Sequence, residues 1–209
     1  VETVVGGSGA DSLTISTNDI ESISGGSGID DVQLTDETGN TVELDGVETV
    51  TGSAGFDEII LRDDFGANIE ISDVETVTGG SGLDTVFLTD EFGANINISD
   101  VETVVGGSGA DSLTISTNDI ESISGGAGID DVQLTDAAGN TVELDGVETV
   151  TGGAGFDEVI LRDVTGNTVE LDGVEAVTGS EGVDTLTVTD GTSVTMDGGF
   201  GDDTLTGGS

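Results

Sequence analysis

The 209-residue sequence contains no proline, cysteine, histidine, lysine, tryptophan or tyrosine. Without cysteine, the chain has neither a disulfide framework nor a thiolate metal site. Most of the side chains that usually carry acid–base or nucleophilic catalysis are also missing. Carboxylates are abundant, but they recur in equivalent copies, whereas an active site breaks such symmetry. We therefore predict that this segment is not an enzyme.

Positive charge is nearly missing as well. Two arginines stand against 44 acidic residues, and the net charge is −42. Phosphates would be repelled, so nucleic acid is not an expected partner, and no apolar run approaches the roughly 18 residues of a membrane-inserted span. Self-repulsion of this size normally indicates disorder. Because 33% of the residues are hydrophobic and evenly spaced, we expect a chain that becomes ordered when cations bind.

Internal repetition is the strongest pattern in the sequence. Residues 101–150 repeat residues 1–50 with three substitutions. Shorter units of 27 or 19 residues divide this longer repeat. We predict one continuous solenoid over residues 1–209, with the units 1–19, 20–46, 47–73, 74–100, 101–119, 120–146, 147–173, 174–198 and a partial unit 199–209.

Each 27-residue unit contains three short apolar patterns separated by turn sequences, and two of the three alternate as half-buried strands do. No segment has helical periodicity. One unit cannot bury its apolar face alone, but strands stacked at about 4.8 Å would form continuous aliphatic columns. We predict an all-β, parallel β-solenoid (a β-roll or β-helix) of about eight to nine coils. The 19-residue units lack the third pattern, so we expect them to form smaller or two-sided coils.

A Gly-rich turn that ends in aspartate occurs in every unit. Residues 25–33 fit the pattern G-G-x-G-x-D-x-U-x, in which U is a large aliphatic residue. Glycine allows positive φ and leaves carbonyl oxygens uncovered, and calcium takes six to eight oxygen ligands from carbonyls and carboxylates. The pattern therefore predicts calcium binding. The aspartates of the nine copies are Asp11, Asp30, Asp57, Asp84, Asp111, Asp130, Asp157, Asp184 and Asp203.

This nonapeptide resembles the calcium-binding repeats of the RTX (repeats-in-toxin) family. The resemblance implies calcium ions between successive turns, with these nine aspartates as side-chain ligands. It also implies ligands from the backbone carbonyls of the first and third glycines, which are Gly6, Gly9, Gly25, Gly28, Gly52, Gly55, Gly79, Gly82, Gly106, Gly109, Gly125, Gly128, Gly152, Gly155, Gly179, Gly182, Gly198 and Gly201.

The chain also departs from the RTX pattern. RTX arrays typically run two nonapeptides per coil, with ion columns along both edges. Here the motif returns only after 27 or 19 residues, so we expect one ion column. Ser53 and Ser180 replace the second glycine of their copies, and we expect weaker or differently filled sites there.

Two further sets of acidic residues recur at fixed positions. The first set could form another cation ladder, but no Gly-rich turn flanks it, and we favour a solvated outward face. It consists of Glu2, Glu21, Glu48, Glu75, Glu102, Glu121, Glu148 and Glu175. The second set opens another turn, and turn formation is its expected role. It consists of Asp36, Asp63, Asp90, Asp136, Asp163 and Asp190.

The resemblance implies a protein that is exported unfolded by type I secretion and folds at the millimolar calcium found outside the cell. We therefore expect an extracellular or bacterial cell-surface location and a structural task, as in a filament, an adhesin stalk or an S-layer-like assembly. The alternative is a folding and secretion module of an enzyme or toxin whose active domain lies outside this segment. Strand edges at both ends, together with Phe56, Phe156 and Phe200 in turns, suggest head-to-tail or lateral self-association.

Overall fold

A computed structural model describes residues 2–63 and 65–208, which form 23 short β-strands. Val1 and Ser209, the outer limits of the predicted units, lie outside the described residues. Within the described ranges, no residue is helical. Nothing in this part of the chain supplies a helix of the length and apolarity that crossing a membrane requires.

Successive strands alternate between two parallel sheets. The first sheet contains the twelve odd-numbered strands, which are β1 (Glu2–Ser8), β3 (Ile20–Ser27), β5 (Thr41–Asp45), β7 (Glu58–Leu61), β9 (Thr76–Thr78), β11 (Asn95–Ser99), β13 (Ser112–Ile115), β15 (Asp131–Leu134), β17 (Thr149–Thr151), β19 (Thr168–Asp172), β21 (Thr185–Val188) and β23 (Thr204–Thr206). The second sheet contains the eleven even-numbered strands, which are β2 (Ser12–Ile15), β4 (Asp31–Leu34), β6 (Thr49–Thr51), β8 (Asn68–Ser72), β10 (Thr85–Leu88), β12 (Thr103–Val105), β14 (Ser122–Ser124), β16 (Thr141–Asp145), β18 (Glu158–Leu161), β20 (Ala176–Thr178) and β22 (Thr195–Asp197).

Each coil consists of one strand from each sheet, so the solenoid has about eleven coils and a flattened, two-layered cross-section. The predicted all-β parallel solenoid is confirmed, but the count of eight to nine coils is too low. A 27-residue unit contains three strands and therefore makes one and a half coils. A 19-residue unit contains two strands and makes one complete two-sided coil, which agrees with the second of the two expected forms and not with a smaller coil.

The odd number of strands in a 27-residue unit decides where its turns lie. We call the side at which odd-numbered strands end edge 1, and the side at which even-numbered strands end edge 2. In unit 20–46 the Gly-rich turn joins β3 to β4 at edge 1, whereas in unit 47–73 it joins β6 to β7 at edge 2. Gly-Asp turns therefore lie at both edges, and the expectation of a single column is wrong.

A single layer of aliphatic side chains fills the space between the sheets. In one column, Val32, Val50, Ile71 and Leu88 are register partners on four successive strands of the second sheet, and each is at most 3% exposed. Fully burying side chains of this size is worth about 1.5–3 kcal/mol each. These columns, which the alternating sequence patterns predict, hold the two sheets together.

We expect Ile69→Ala to lower the free energy of unfolding by about 2–4 kcal/mol, because it removes a fully buried side chain from the column and leaves a cavity. The neighbouring Glu70→Ala is the matched control, since Glu70 lies on the exposed face of the same strand; it should change the stability by less than about 0.5 kcal/mol. Urea unfolding followed by circular dichroism in calcium buffer measures both. Equal effects would contradict the assignment of the core face.

Candidate metal centres at the Gly-Asp turns

The nine motif aspartates lie at the two edges, each close to the start of a strand. Seven of them are at most 2% exposed, and Asp11 and Asp203 are half-buried. Carboxylates are seldom buried so completely, and a buried carboxylate needs partners for its oxygens. Edge 1 carries Asp11, Asp30, Asp84 and Asp157, and edge 2 carries Asp57, Asp111, Asp130, Asp184 and Asp203.

The first glycine of each motif leaves room for two oxygens. A Cβ atom added to Gly106 would lie 2.0 Å from the carbonyl oxygen of Gly125 in the next coil and 2.7 Å from Oδ2 of Asp111. The same pair of oxygens, one motif carboxylate and one carbonyl from the next coil, borders the first glycine in eight of the nine copies. The missing side chain thus brings together the two kinds of oxygen that calcium prefers.

Carbonyls of the third glycines face another Gly-rich turn only where two such turns lie in adjacent coils. Turns 6–11 and 25–30, turns 106–111 and 125–130, and turns 179–184 and 198–203 form these stacked pairs. The carbonyl oxygens of Gly9, Gly109 and Gly182 lie 2.3, 1.8 and 2.1 Å from the Cβ positions of their partner glycines in the next turn. The third glycines of turns 52–57, 79–84 and 152–157 instead pack on the backbone of a loop in the preceding coil.

One carboxylate oxygen of the motif aspartate bonds to the preceding coil. In the stacked pairs, the backbone N–H of Asp11 donates to Oδ1 of Asp30 at 2.9 Å, and that of Asp111 donates to Oδ1 of Asp130 at 2.8 Å. Elsewhere the donor is the last residue of a loop, such as Asn40 for Asp57 or Ala94 for Asp111. Each edge therefore contains ladders of carboxylates that accept main-chain N–H groups.

Buried asparagines strengthen this ladder, and the sequence patterns alone do not identify them. Asn40 donates both its backbone N–H and its side-chain N–H to Oδ1 of Asp57, each at 2.8 Å. Asn167 does the same to Asp184, each at 2.7 Å. The signal that could have found them is the asparagine that ends a D-x-x-G-N loop seventeen residues before a motif aspartate.

The second carboxylate oxygen divides eight of the nine motifs, all except that of Asp203, into two forms. In the capped form, the N–H of the second motif residue donates to Oδ2 of the same motif. These donors are Ser53 to Asp57, Gly80 to Asp84, Gly107 to Asp111, Gly153 to Asp157 and Ser180 to Asp184, at 2.6–3.3 Å.

In the open form, the second residue is a glycine with positive φ, and its N–H makes no such bond. The φ angles of Gly7, Gly26 and Gly126 are 137°, 106° and 95°. Oδ2 of the corresponding Asp11, Asp30 and Asp130 is buried and has no hydrogen-bond partner among the described residues. Serine rarely adopts this conformation, which explains why the Ser53 and Ser180 turns are capped.

Asp130 and Asp184, one aspartate of each form, differ in the direction of their pKa shifts. Burial raises the pKa of Asp130, an open aspartate, and the nearby charges of Asp111 and Glu148 raise it further, against a backbone hydrogen bond that lowers it. Burial also acts to raise the pKa of Asp184, but hydrogen bonds from Asn167 and Ser180 outweigh that effect and lower it. The ionised carboxylate is thus poorly stabilised at Asp130 and better stabilised at Asp184.

The oxygen atoms at the open turns are suitable ligands for a calcium ion. A buried, unpaired carboxylate oxygen is costly, and a hard cation that accepts carboxylate and carbonyl oxygens removes that cost. In the described part of the chain, no three acidic side chains come close enough to hold a metal ion by themselves. Backbone carbonyls must therefore supply much of any coordination shell, which the glycine-lined space at these turns allows.

Residues 178–209 match the family model of the RTX calcium-binding nonapeptide repeat (4 copies). This match confirms the resemblance of these repeats to the RTX calcium-binding nonapeptide. The matched residues include the stacked pair of turns 179–184 and 198–203, and the other two stacked pairs have the same 19-residue spacing. No curated protein and no solved structure is similar enough to add to this assignment.

The acidic residues of the second turn behave largely as expected. Asp36, Asp136, Asp163 and Asp190 each accept a hydrogen bond from the residue two positions later, as in an Asx-turn. Asp63 and Asp90 instead accept the N–H of residues 46 and 73 in the preceding coil, at 3.1 and 3.0 Å. These aspartates therefore hold the loops in place.

Most of the glutamate set does not form a solvated outward face, so that expectation is wrong. Oε2 of five of these glutamates accepts the backbone N–H of a motif aspartate, at 2.6–2.9 Å, because a short Asp-Gly or Ser-Asp turn brings each glutamate to the register of that aspartate. They are Glu48, Glu75, Glu102, Glu148 and Glu175. Glu2, Glu21 and Glu121 are exposed, as expected.

We expect Gly106→Ala to destabilise the fold by about 1–3 kcal/mol, because its methyl group would press against the backbone carbonyl of Gly125 and the carboxylate of Asp111. Gly207→Ala is the control, since nothing lies within 4 Å of the position of its added methyl group. Thermal unfolding of both variants in calcium buffer measures the difference. A neutral Gly106→Ala variant would contradict the close approach of the two turns.

We expect Asn167→Ala to cost about 1.5–3 kcal/mol, since a side-chain hydrogen bond to the buried Asp184 carboxylate is lost. The fold should persist, because Ala94 stands at the equivalent place and still donates its backbone N–H to Asp111. Asn95→Ala, at an exposed strand position, provides the control in urea unfolding. Equal stability of the two variants would show that the side-chain bond contributes nothing.

Proposed function

We propose that this segment is a calcium-stabilised structural element of a large secreted or cell-surface bacterial protein, and that it folds when it binds calcium outside the cell. One observation carries the proposal: Oδ2 of Asp11, Asp30 and Asp130 is buried with no hydrogen-bond partner in the described part of the chain, at Gly-rich turns whose other available ligands are carbonyl oxygens. The match of residues 178–209 to calcium-binding repeats supports it independently.

The proposed ligands are the nine motif aspartates and the carbonyls of the first and third motif glycines. The geometry favours the three stacked pairs, because only there do carbonyls of two Gly-rich turns face one another across adjacent coils. The capped aspartates already bond through both oxygens, so we propose that their turns bind calcium less tightly. This applies within the stacked pairs as well, where Asp111 and Asp184 are capped and Asp11, Asp30 and Asp130 are open. Calcium would supply positive charge that offsets the repulsion between successive carboxylates.

Mass action would couple calcium to folding. With a net charge of −42, the compact state repels itself. A site that exists only in the folded state stabilises it by about 1.4 kcal/mol when calcium is at ten times the dissociation constant, and several sites add together. Extracellular calcium modules have dissociation constants of about 10⁻⁴–10⁻³ M. The chain would therefore stay unfolded in the cytosol and fold outside the cell.

The structural task is inferred from the uniformity of the solenoid. Both sheets run through all eleven coils without an inserted domain in the described ranges, and residues 101–150 repeat residues 1–50 almost unchanged. Such repetition suits a spacer in a filament, stalk or surface layer. Exposed Phe56, Phe156 and Phe200 in the turns, joined by Phe65 and Phe92, are candidates for lateral contacts between rods.

Calcium titration followed by circular dichroism tests the proposal. We expect a weak strand signal in chelator and a cooperative rise to the full strand signal at about 0.1–1 mM calcium, because the ion binds only the folded state. Magnesium at the same concentration is the control, since it prefers a small octahedral shell that retains water. Full strand signal in chelator, unchanged by calcium, would refute calcium-dependent folding. Short monomeric rods in electron micrographs of the calcium form would count against a filament.

A further inference from the structure

We propose that Glu48 and Glu148 complete a second kind of calcium site, formed between a Gly-rich turn and the short turn of the next coil. The first site would lie between turn 25–30 and residues 46–48, and the second between turn 125–130 and residues 146–148. The inference rests on the proposed function and adds to it ligands from a turn that has no Gly-rich motif.

The glutamate takes the place that a motif aspartate has in a stacked pair. At edge 1, the N–H of Asp11 donates to Oδ1 of Asp30 at 2.9 Å, and one coil later the N–H of Asp30 donates to Oε2 of Glu48 at 2.7 Å. At edge 2, the N–H of Asp130 donates to Oε2 of Glu148 at 2.8 Å. The carboxylate ladder therefore continues from the Gly-rich turn into the short turn.

The carbonyl oxygen of the next coil also lies at the same place relative to the first glycine in both kinds of junction. A Cβ atom on Gly6 would meet the carbonyl oxygen of Gly25 at 2.5 Å, and one on Gly25 would meet that of Gly46 at 2.0 Å. In the second copy, the carbonyl oxygen of Gly146 lies 2.1 Å from the Cβ position of Gly125. A short turn thus supplies the same two oxygen types, one carbonyl and one carboxylate, as a second Gly-rich turn.

An unpartnered carboxylate oxygen points into each of these junctions. Asp30 and Asp130 are 0% exposed, and Oδ2 of each has no hydrogen-bond partner within residues 2–63 and 65–208. Oδ2 of Asp30 lies 2.6 Å from the same Cβ position that borders the carbonyl of Gly46, and Oδ2 of Asp130 lies 2.5 Å from the one that borders Gly146. A cation between the coils would give these oxygens the partner they lack.

The backbone holds each glutamate firmly against its aspartate. The N–H groups of Glu48 and Thr49 both donate to the carbonyl oxygen of Asp30, at 3.1 Å each, and the Glu48 carboxylate accepts the N–H of the same aspartate. Glu148 and Thr149 bind Asp130 in the same way. The two carboxylates of each junction are therefore positioned before any ion arrives, and together they match the charge of one divalent cation.

Three other glutamates provide an internal comparison. Glu75, Glu102 and Glu175 also accept the N–H of a motif aspartate, at 2.8, 2.6 and 2.9 Å. Their aspartates are capped, however, because Oδ2 of each accepts an N–H from its own turn. We therefore assign the second kind of site to Glu48 and Glu148, and not to these three.

Native mass spectrometry of the calcium-loaded chain tests the assignment by counting bound ions. We expect the double variant Glu48→Gln with Glu148→Gln to bind two fewer calcium ions than the wild type, and Glu148→Gln alone to bind one fewer. Glutamine keeps an oxygen that can accept the aspartate N–H, so the turn contact is preserved. Circular dichroism at high calcium verifies that each variant is folded.

The matched control is Glu75→Gln with Glu175→Gln, which alters the same N–H contact at capped aspartates and should leave the ion count unchanged. Loss of two ions only in the Glu48 and Glu148 variant supports the proposal. If both double variants bind as many ions as the wild type, or if both lose them equally, the second kind of site is refuted while calcium binding stands. If the wild type binds no calcium, the proposed function itself fails.

Discussion

At each edge of the solenoid, buried aspartates follow Gly-rich turns, and a buried carboxylate must find partners for both of its oxygens. One oxygen always turns to the preceding coil where such a coil exists, because the parallel stacking brings a main-chain N–H to it at 2.6–3.0 Å. The other oxygen depends on the local turn. It either accepts an N–H from its own motif or remains without a hydrogen bond. The state of that second oxygen separates the turns that hydrogen bonds satisfy from the turns at which we propose calcium binding.

This constraint explains why the motif positions are not interchangeable. The first residue must be glycine because a side chain would occupy the space of the carboxylate and of the next coil's carbonyl. The second residue limits the form of the turn: Ser53 and Ser180 donate to the carboxylate, whereas glycine occurs in both forms, with positive φ at the open Gly26 and as a donor at the capped Gly80. The chain thus contains turns in which hydrogen bonds satisfy both carboxylate oxygens, and turns in which one buried oxygen is left for a cation to bind.

Local patterns were sufficient to predict the strands, the apolar columns and the acidic turns. The alternation of Ile69 and Ile71, or of Val86 and Leu88, directly shows which face is buried, because side chains on a strand alternate with period two. The resemblance of residues 25–33 to a calcium-binding nonapeptide likewise needs only nine adjacent residues. Each of these inferences depends on interactions within one strand or one turn.

The distribution of turns between two edges was not predicted, nor was the role of Glu48, because both depend on how coils stack. A three-strand unit begins and ends on the same sheet, so the next unit starts on the opposite sheet and the turns of successive 27-residue units alternate between edges. Likewise, Glu48 and Asp30 are eighteen residues apart, and only the coil repeat brings them together. The sequence by itself determined the strands, the buried face and the chemistry of the turns, since these are short-range properties. The tertiary structure alone decided which turns face one another and which carboxylates are left open, because that depends on contacts between coils.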